Sequence, residues 1–180
     1  DTPAAKAALV TKDIDAAVGQ ADYLALRDQG VTRVIFTTKG GDPKLTSNGL
    51  FLGSQDFIDK YPEITLRVVK QVVLAAKWFA DSEKEPTGIF QLWTKSGFTF
   101  SSFKEDWLGE DLRYRTSPLI DPYVASRYRL QVDEAQRFGL TKRGFSFDQW
   151  VDDRFLKQAL KELGLESYWK PRGLDGKPTG

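Results

Sequence analysis

The chain has 180 residues, of which 41% are hydrophobic and 13% aromatic, enough apolar material to fill one compact domain or two small lobes and too much for wholesale disorder. Its 26 Lys plus Arg against 25 Asp plus Glu give a formal net charge of +1, and the two signs are interspersed, which argues against a dedicated nucleic-acid binder. Cys and His are both absent, so thiol nucleophiles, disulfides, histidine bases and nearly all zinc sites are excluded, and any chemistry would rest on carboxylates, Lys, Tyr or backbone groups.

No apolar run approaches the ~18 residues of a membrane span, and the first residues lack the charged and apolar pattern of a signal peptide. The missing initiator Met predicts a processed or excised chain. Thr2-Pro3 reads as a cap followed by proline at the first helical position, predicting a helix over Pro3 to Thr11. Ile14 to Val18 is a short apolar run predicted as a strand, and Ala21 to Gly30 a helix stopped by its glycine. Thr32 to Thr38, rich in β-branched and aromatic residues, predicts a second strand, its core 32–37. Strand, helix and strand within about two dozen residues make a βαβ unit with parallel strands.

Lys39 to Asn48 is a loop by composition, and "GLFLG" (Gly49 to Gly53) is the third predicted strand. Ser54 caps the next helix, and Pro62 breaks it and opens another that runs to Asp81, apolar on more than one side and therefore central to the packing. From there strand signals vanish. Helical patterns cover Thr87 to Ser96 and Ser101 to Leu108, and Asp121-Pro122 opens a helix to Gly139. "SFDQ" (Ser146 to Gln149) has the pattern of a capping box, and "DDRFLKQALKELG" is an amphipathic helix ending at Gly164. The tail, 170–180, is expected to be loose. The predicted fold class is α/β: a short βαβ portion followed by a mainly helical section.

Three short strands make a poor sheet on their own, because a parallel sheet needs more strands and both faces covered. "KDIDAAVGQADYLALRDQGVTRVIF", "NGLFLGSQDFIDKYPEITLRVVKQVVLAAKWF" and "FSFDQWVDDRFLKQALKELGL" together resemble the C-terminal half of a periplasmic substrate-binding protein of the aliphatic sulfonate, taurine and nitrate ABC transporter type. The resemblance covers about Asp1 to Trp169 and half of a full-length member. It implies a partial type II periplasmic-binding-protein fold in which 1–47 end the second lobe, 48–53 cross back, 54–169 belong to the first lobe and 170–180 trail. It also implies an extracytoplasmic location, by signal peptide or lipoprotein anchor, with a small anionic organic ligand and an ABC permease as partners, and with no cofactor and no nucleic acid. Relatives that bind amine-bearing sulfonates often carry a Trp-Asp-Pro turn where this chain has "GQADY" (Gly19 to Tyr23), which disfavours an amino-sulfonate.

In an open α/β sheet, ligands collect beyond the carboxyl ends of the strands, where loops and helix N-termini present free N–H groups. The resemblance places Gln20, Asp22 and Tyr23 at such a loop, with Asn48 near the crossing, as the ligand-binding residues; no catalytic or metal residue is expected. The structural alternatives are plain. Asp22 is a first-turn acid favoured by the helix dipole, Tyr23 a core ring, and Asn48 a turn former before Gly49. The cluster Arg113 to Ser117 with Ser126 to Leu130 offers guanidinium groups to an anion or simply to neighbouring acids. The acidic pairs at Glu105-Asp106, Glu110-Asp111 and Asp152-Asp153 do not converge on one atom, since adjacent helical residues point about 100° apart. Three functions stand beside each other: a solute receptor, an enzyme on the same fold with its catalytic residues in the other half, and a protein-interaction module. Exposed strand edges and apolar faces further predict self-association, a homodimer included.

Overall fold

The computed structural model describes residues 2–42 and 49–179. Ten α-helices occur among them: α1 (Thr2–Thr11), α2 (Leu24–Asp28), α3 (Gln55–Lys60), α4 (Pro62–Asp81), α5 (Thr87–Trp93), α6 (Phe100–Trp107), α7 (Leu112–Arg115), α8 (Pro122–Arg137), α9 (Phe147–Trp150) and α10 (Arg154–Glu162). The chain divides into two compact units, one of Asp1–Gly41 with Ser82–Asp111 and the other of Asp42–Asp81 with Leu112–Gly180.

The mainly helical character is as predicted, but the βαβ portion is not found. Residues 14–18, 32–37 and 49–53 form no ladder, and the pairing seen among the described residues is a single antiparallel bridge between Arg172 and Pro178. A strand exists only where a second backbone lies about 4.8 Å away to take its N–H and C=O groups. Among the described residues these three runs find none, and most of their apolar side chains are left in solvent. Ile35 and Phe36 are 77% and 72% exposed, and Val18 is fully exposed.

In the first unit, the predicted helix over 21–30 begins as a 3-10 turn, Ala21–Tyr23, continues as α2 and stops at Gly30, whose φ of +74° suits glycine. α5 and α6 supply the core. Ile89 and Phe90 are buried, the Phe103 ring lies 5.4 Å from Trp93 and 5.5 Å from Phe98, and Trp93 meets Trp107 at 5.6 Å. Such ring pairs add about 0.5–1.5 kcal/mol each beyond their buried area. Thr99 starts α6 by accepting from the Ser102 N–H at 3.2 Å. Ion pairing then ties α2 to α6: Arg27 bonds Glu105 at 2.5 Å, and the Ser101 hydroxyl donates to Asp28 at 2.8 Å.

In the second unit the local signals hold well. Ser54 caps α3 through the Phe57 N–H, Pro62 opens α4, and Asp121 caps α8 through the Val124 N–H at 2.9 Å. Gly139 and Gly164, with φ of +69° and +66°, close α8 and α10. The expected capping box is not made, since Ser146 accepts no side-chain cap bond; the neighbouring Asp148 pairs with Arg129 of α8 at 2.5 Å. The core is a seam on α4: Leu66 and Val73 are buried, Val69 and Ala76 are half-buried, and all pack in one cluster with Phe155, Ala159 and Leu160 of α10, Leu165 and Trp169. Spacings of three and four residues keep one stripe of α4 facing its neighbour, and each fully buried large side chain contributes roughly 1.5–3 kcal/mol.

Residues 170–179, expected loose, are tied to this unit by a buried ion pair. The Asp121 carboxylate that caps α8 also accepts from Arg172, at 3.0 Å from its backbone N–H and 2.6 Å from Nε. The guanidinium lies 5.1 Å from the Tyr114 ring and 5.0 Å from the Tyr123 ring. Tyr114 donates its hydroxyl proton to the Gly176 carbonyl at 2.5 Å, and the Thr179 N–H returns to Pro171. Burial works against the Arg172 charge, but the Asp121 bonds outweigh it and hold the guanidinium above its ordinary value. Removing one partner of a buried pair strands the other, which costs about 3–5 kcal/mol. Asp121→Ala, which also deletes the α8 cap, is expected to fall in that range in urea unfolding. Asp121→Asn keeps an acceptor for the cap and should cost less; equal losses would show that the cap bond contributes nothing beyond the charge.

Candidate functional site

The loop from Gly19 to Tyr23 lies wholly in the first unit, between α1 and α2 in sequence. Gln20 has extended backbone and precedes the 3-10 turn, whose Tyr23 N–H donates to the Gln20 carbonyl at 3.1 Å; the Gln20 side chain makes no cap bond and is exposed. Asp22 reaches back to α1 and pairs with Lys6 at 2.7 Å. The same ammonium stands 5.5 Å from the centre of the Tyr23 ring. Tyr23 lies against Gly19 so closely that a Cβ there would sit 2.1 Å from its ring, so a glycine at 19 is what lets the ring fold over the loop.

Of the four residues expected at the site, Gln20, Asp22 and Tyr23 are together; Asn48, with Ser47, lies outside the described residues. Lys6 was not foreseen. It sits in an alanine-rich helix sixteen positions from Asp22, and nothing local marks it as a partner. Its effect on the loop is electrostatic: an unpaired Asp22 would repel an anion, whereas the Lys6–Asp22 pair is close to neutral and leaves the Gln20 amide and the Tyr23 hydroxyl as uncharged donors.

Other candidates have structural partners. Asp152 and Asp153 pair with Arg154 and Lys157 at 2.8 and 2.7 Å, and Arg113 stacks 4.5 Å over the Tyr168 ring. Among the described residues no group of three acids is placed to hold a metal ion, and no helix is long and apolar enough to cross a membrane. A shallow cavity of about 290 Å³ lies among Pro86, Thr87, Phe90, Phe100, Lys104 and Leu108, and it shares no residue with the Gly19–Tyr23 loop.

No protein-family model matches the chain, and no curated protein sequence matches it. In structure it is similar to a crystal structure described as the periplasmic sulfonate-binding protein SsuA of a sulfonate ABC transporter from Methylobacillus flagellatus KT, with a TM-score of 0.70 and 29% identity. The match covers 93% of this chain and 51% of that one. The chain thus spans about half the length of this neighbour, consistent with the C-terminal half that its sequence resembles.

Arg27 hydrogen bonding holds the Glu105 carboxyl below its ordinary value of 4.5, with burial opposing the shift. A carboxyl with a lowered folded-state value stabilises the fold fully above its unfolded value, and that contribution is lost as pH falls through the folded one. NMR titration of the Glu105 carboxyl should therefore give a midpoint below 4.5 that returns towards 4.5 in Arg27→Ala; an unchanged midpoint would refute the pairing. Gly19→Ala should turn the Tyr23 ring away from the loop, read as a change in its ring proton shifts with unfolding midpoint little affected.

Proposed function

We propose that the chain is the C-terminal portion of an extracytoplasmic solute-binding component of an ABC importer, and that the complete protein holds a small organic oxyanion of the aliphatic sulfonate kind between two lobes. The likeness over 93% of the chain to a sulfonate-binding periplasmic protein carries this reading. Residues 1–47 then belong to the second lobe, 48–53 to the return crossing, and an ABC permease receives the ligand. The neighbour is a transporter component rather than an enzyme, which favours a receptor over a catalyst.

The proposed ligand contacts are Gln20 and Tyr23 as donors, Asp22 held by Lys6, and Asn48 near the crossing. Because Asp22 already has a cationic partner at 2.7 Å, an amine-bearing ligand would have to displace Lys6 to use it. Simple alkanesulfonates are accordingly favoured over taurine. Neutral donors and helix N–H groups hold an anion without a full countercharge.

Calorimetric titration of the complete polypeptide with alkanesulfonates, taurine and nitrate tests both levels of the proposal. Each lost charge-assisted hydrogen bond should cost about 1.5–3 kcal/mol, roughly ten- to a hundredfold in affinity. Gln20→Ala and Tyr23→Phe are expected to weaken binding by that factor while Lys157→Ala, whose ammonium pairs with Asp153, leaves it unchanged. Failure of every anion to bind would discard the ligand class. Binding that ignores both loop substitutions would discard the site.

A further inference from the structure

Between α8 and α9 the chain exposes a group of large apolar side chains on an ordered loop. Phe138 and Leu140 are 66% and 78% exposed, and Phe145 and Trp150, whose rings meet at 6.1 Å, are 47% and 51% exposed. The Leu140 N–H donates to the Ala135 carbonyl at 2.8 Å, and Gly144 lies so near the last turn of α8 that a Cβ there would stand 2.7 Å from the Gln136 amide oxygen. Residues 137–143 therefore form a short closed loop, exposed throughout except at half-buried Thr141. Beyond it Phe147 is buried and stacks on Tyr128 of α8 at 5.2 Å, so the base of the loop is fixed while its own apolar groups meet water. The charge there has one sign. From Gln136 to Phe147 the sequence carries Arg137, Lys142 and Arg143 and no acid. The acids on either side are engaged, Glu134 with Arg137 and Asp148 with Arg129, each at 2.5 Å, and Asp133 lies further back on the helix. Lys142 and Arg143 are exposed and pair with no acid among the described residues.

We propose that the loop 137–143 attaches the protein to a negatively charged lipid surface, with Phe138 and Leu140 entering the boundary between headgroups and acyl chains and Lys142 and Arg143 meeting the headgroup phosphates. Bulky apolar groups beside unpaired cations are the combination that such an interface holds, because apolar burial and attraction to anionic lipid act together. Other occupants use only part of the set. A nucleic acid would employ the cations and stack bases on rings, and it leaves aliphatic Leu140 without a role. A second copy of this chain, joined across a two-fold axis through the same patch, would set two positively charged loops against each other. The inference goes beyond the solute-binding reading and takes nothing from it.

Co-sedimentation with vesicles tests it, using the 180-residue chain and the polypeptide translated from the upstream start of its reading frame. Both should bind vesicles of phosphatidylcholine with about 30% phosphatidylglycerol, and bind phosphatidylcholine alone at least about tenfold more weakly. Lys142→Ala with Arg143→Ala should weaken binding about thirtyfold, and Phe138→Ser with Leu140→Ser at least about tenfold. Both pairs should leave the melting temperature within about 2 °C, as for exposed positions, and Lys95→Ala, in the first unit, should change nothing. Because the chain has no cysteine, Leu140→Cys and Lys95→Cys each give a single attachment point for an environment-sensitive dye. The dye at 140 should shift to the blue on the anionic vesicles and the dye at 95 should not. Failure to bind the anionic vesicles, binding that ignores the loop substitutions, or an unshifted dye at 140 would each overturn the proposal. So would a dimer that Leu140→Ser dissolves, or a DNA duplex bound more tightly than the vesicles through Lys142 and Arg143. Binding by the 180-residue chain that the longer polypeptide lacks would also overturn it, since the rest of the chain would then cover the loop. No readout involves a sulfonate, so the outcome is separate from that of the ligand titration.

Discussion

The packing of α4 against α10 is the contact on which the second unit depends. It joins Leu66 and Val73 to Phe155, Ala159 and Leu160 across some ninety residues of chain. Its physical basis is simple: apolar side chains at spacings of three and four stay on one side of a helix, and burying them is the main favourable term available. The Asp121–Arg172 pair adds direction to this apolar association. Its carboxylate serves a helix N-terminus and a guanidinium at once, and it fixes where the last ten residues run.

What a sequence discloses depends on how local the cause is. Asp121-Pro122, Ser54, Pro62, Gly139 and Gly164 act within a turn of the positions they mark, and helix limits followed from them closely. A strand has no such local cause. Thr32 to Phe36 carries every compositional sign of one, yet its hydrogen bonds must come from another stretch of backbone, which the described residues do not provide. The tail misled for the opposite reason. Gly, Pro and Lys in "KPRGLDGKPTG" read as loose chain, whereas the order comes from Asp121, fifty-one residues away.

The loop shows the same division. Gly19, Gln20, Asp22 and Tyr23 were legible as a group because they are adjacent, and the glycine's role became specific only when the Tyr23 ring was seen to lie across it. Lys6 was not legible at all, although its ammonium pairs with Asp22 and stands beside the Tyr23 ring. A site read from one segment will in general omit the countercharge that a distant helix brings to it.

The two compact units are not beads on a string. The chain passes from the first to the second near residue 41, back near 81 and out again near 111, so three connections join them and no single cleavage separates them. During synthesis α4 emerges long before α10, and the first part of the segment made between them, Ser82–Asp111, belongs to the other unit. Its apolar sides must wait for partners through much of translation. The first unit has all its residues once Asp111 is made, whereas the second waits for α10, and until then the seam of newly made α4 lacks its partner and exposes apolar surface of the kind that favours association.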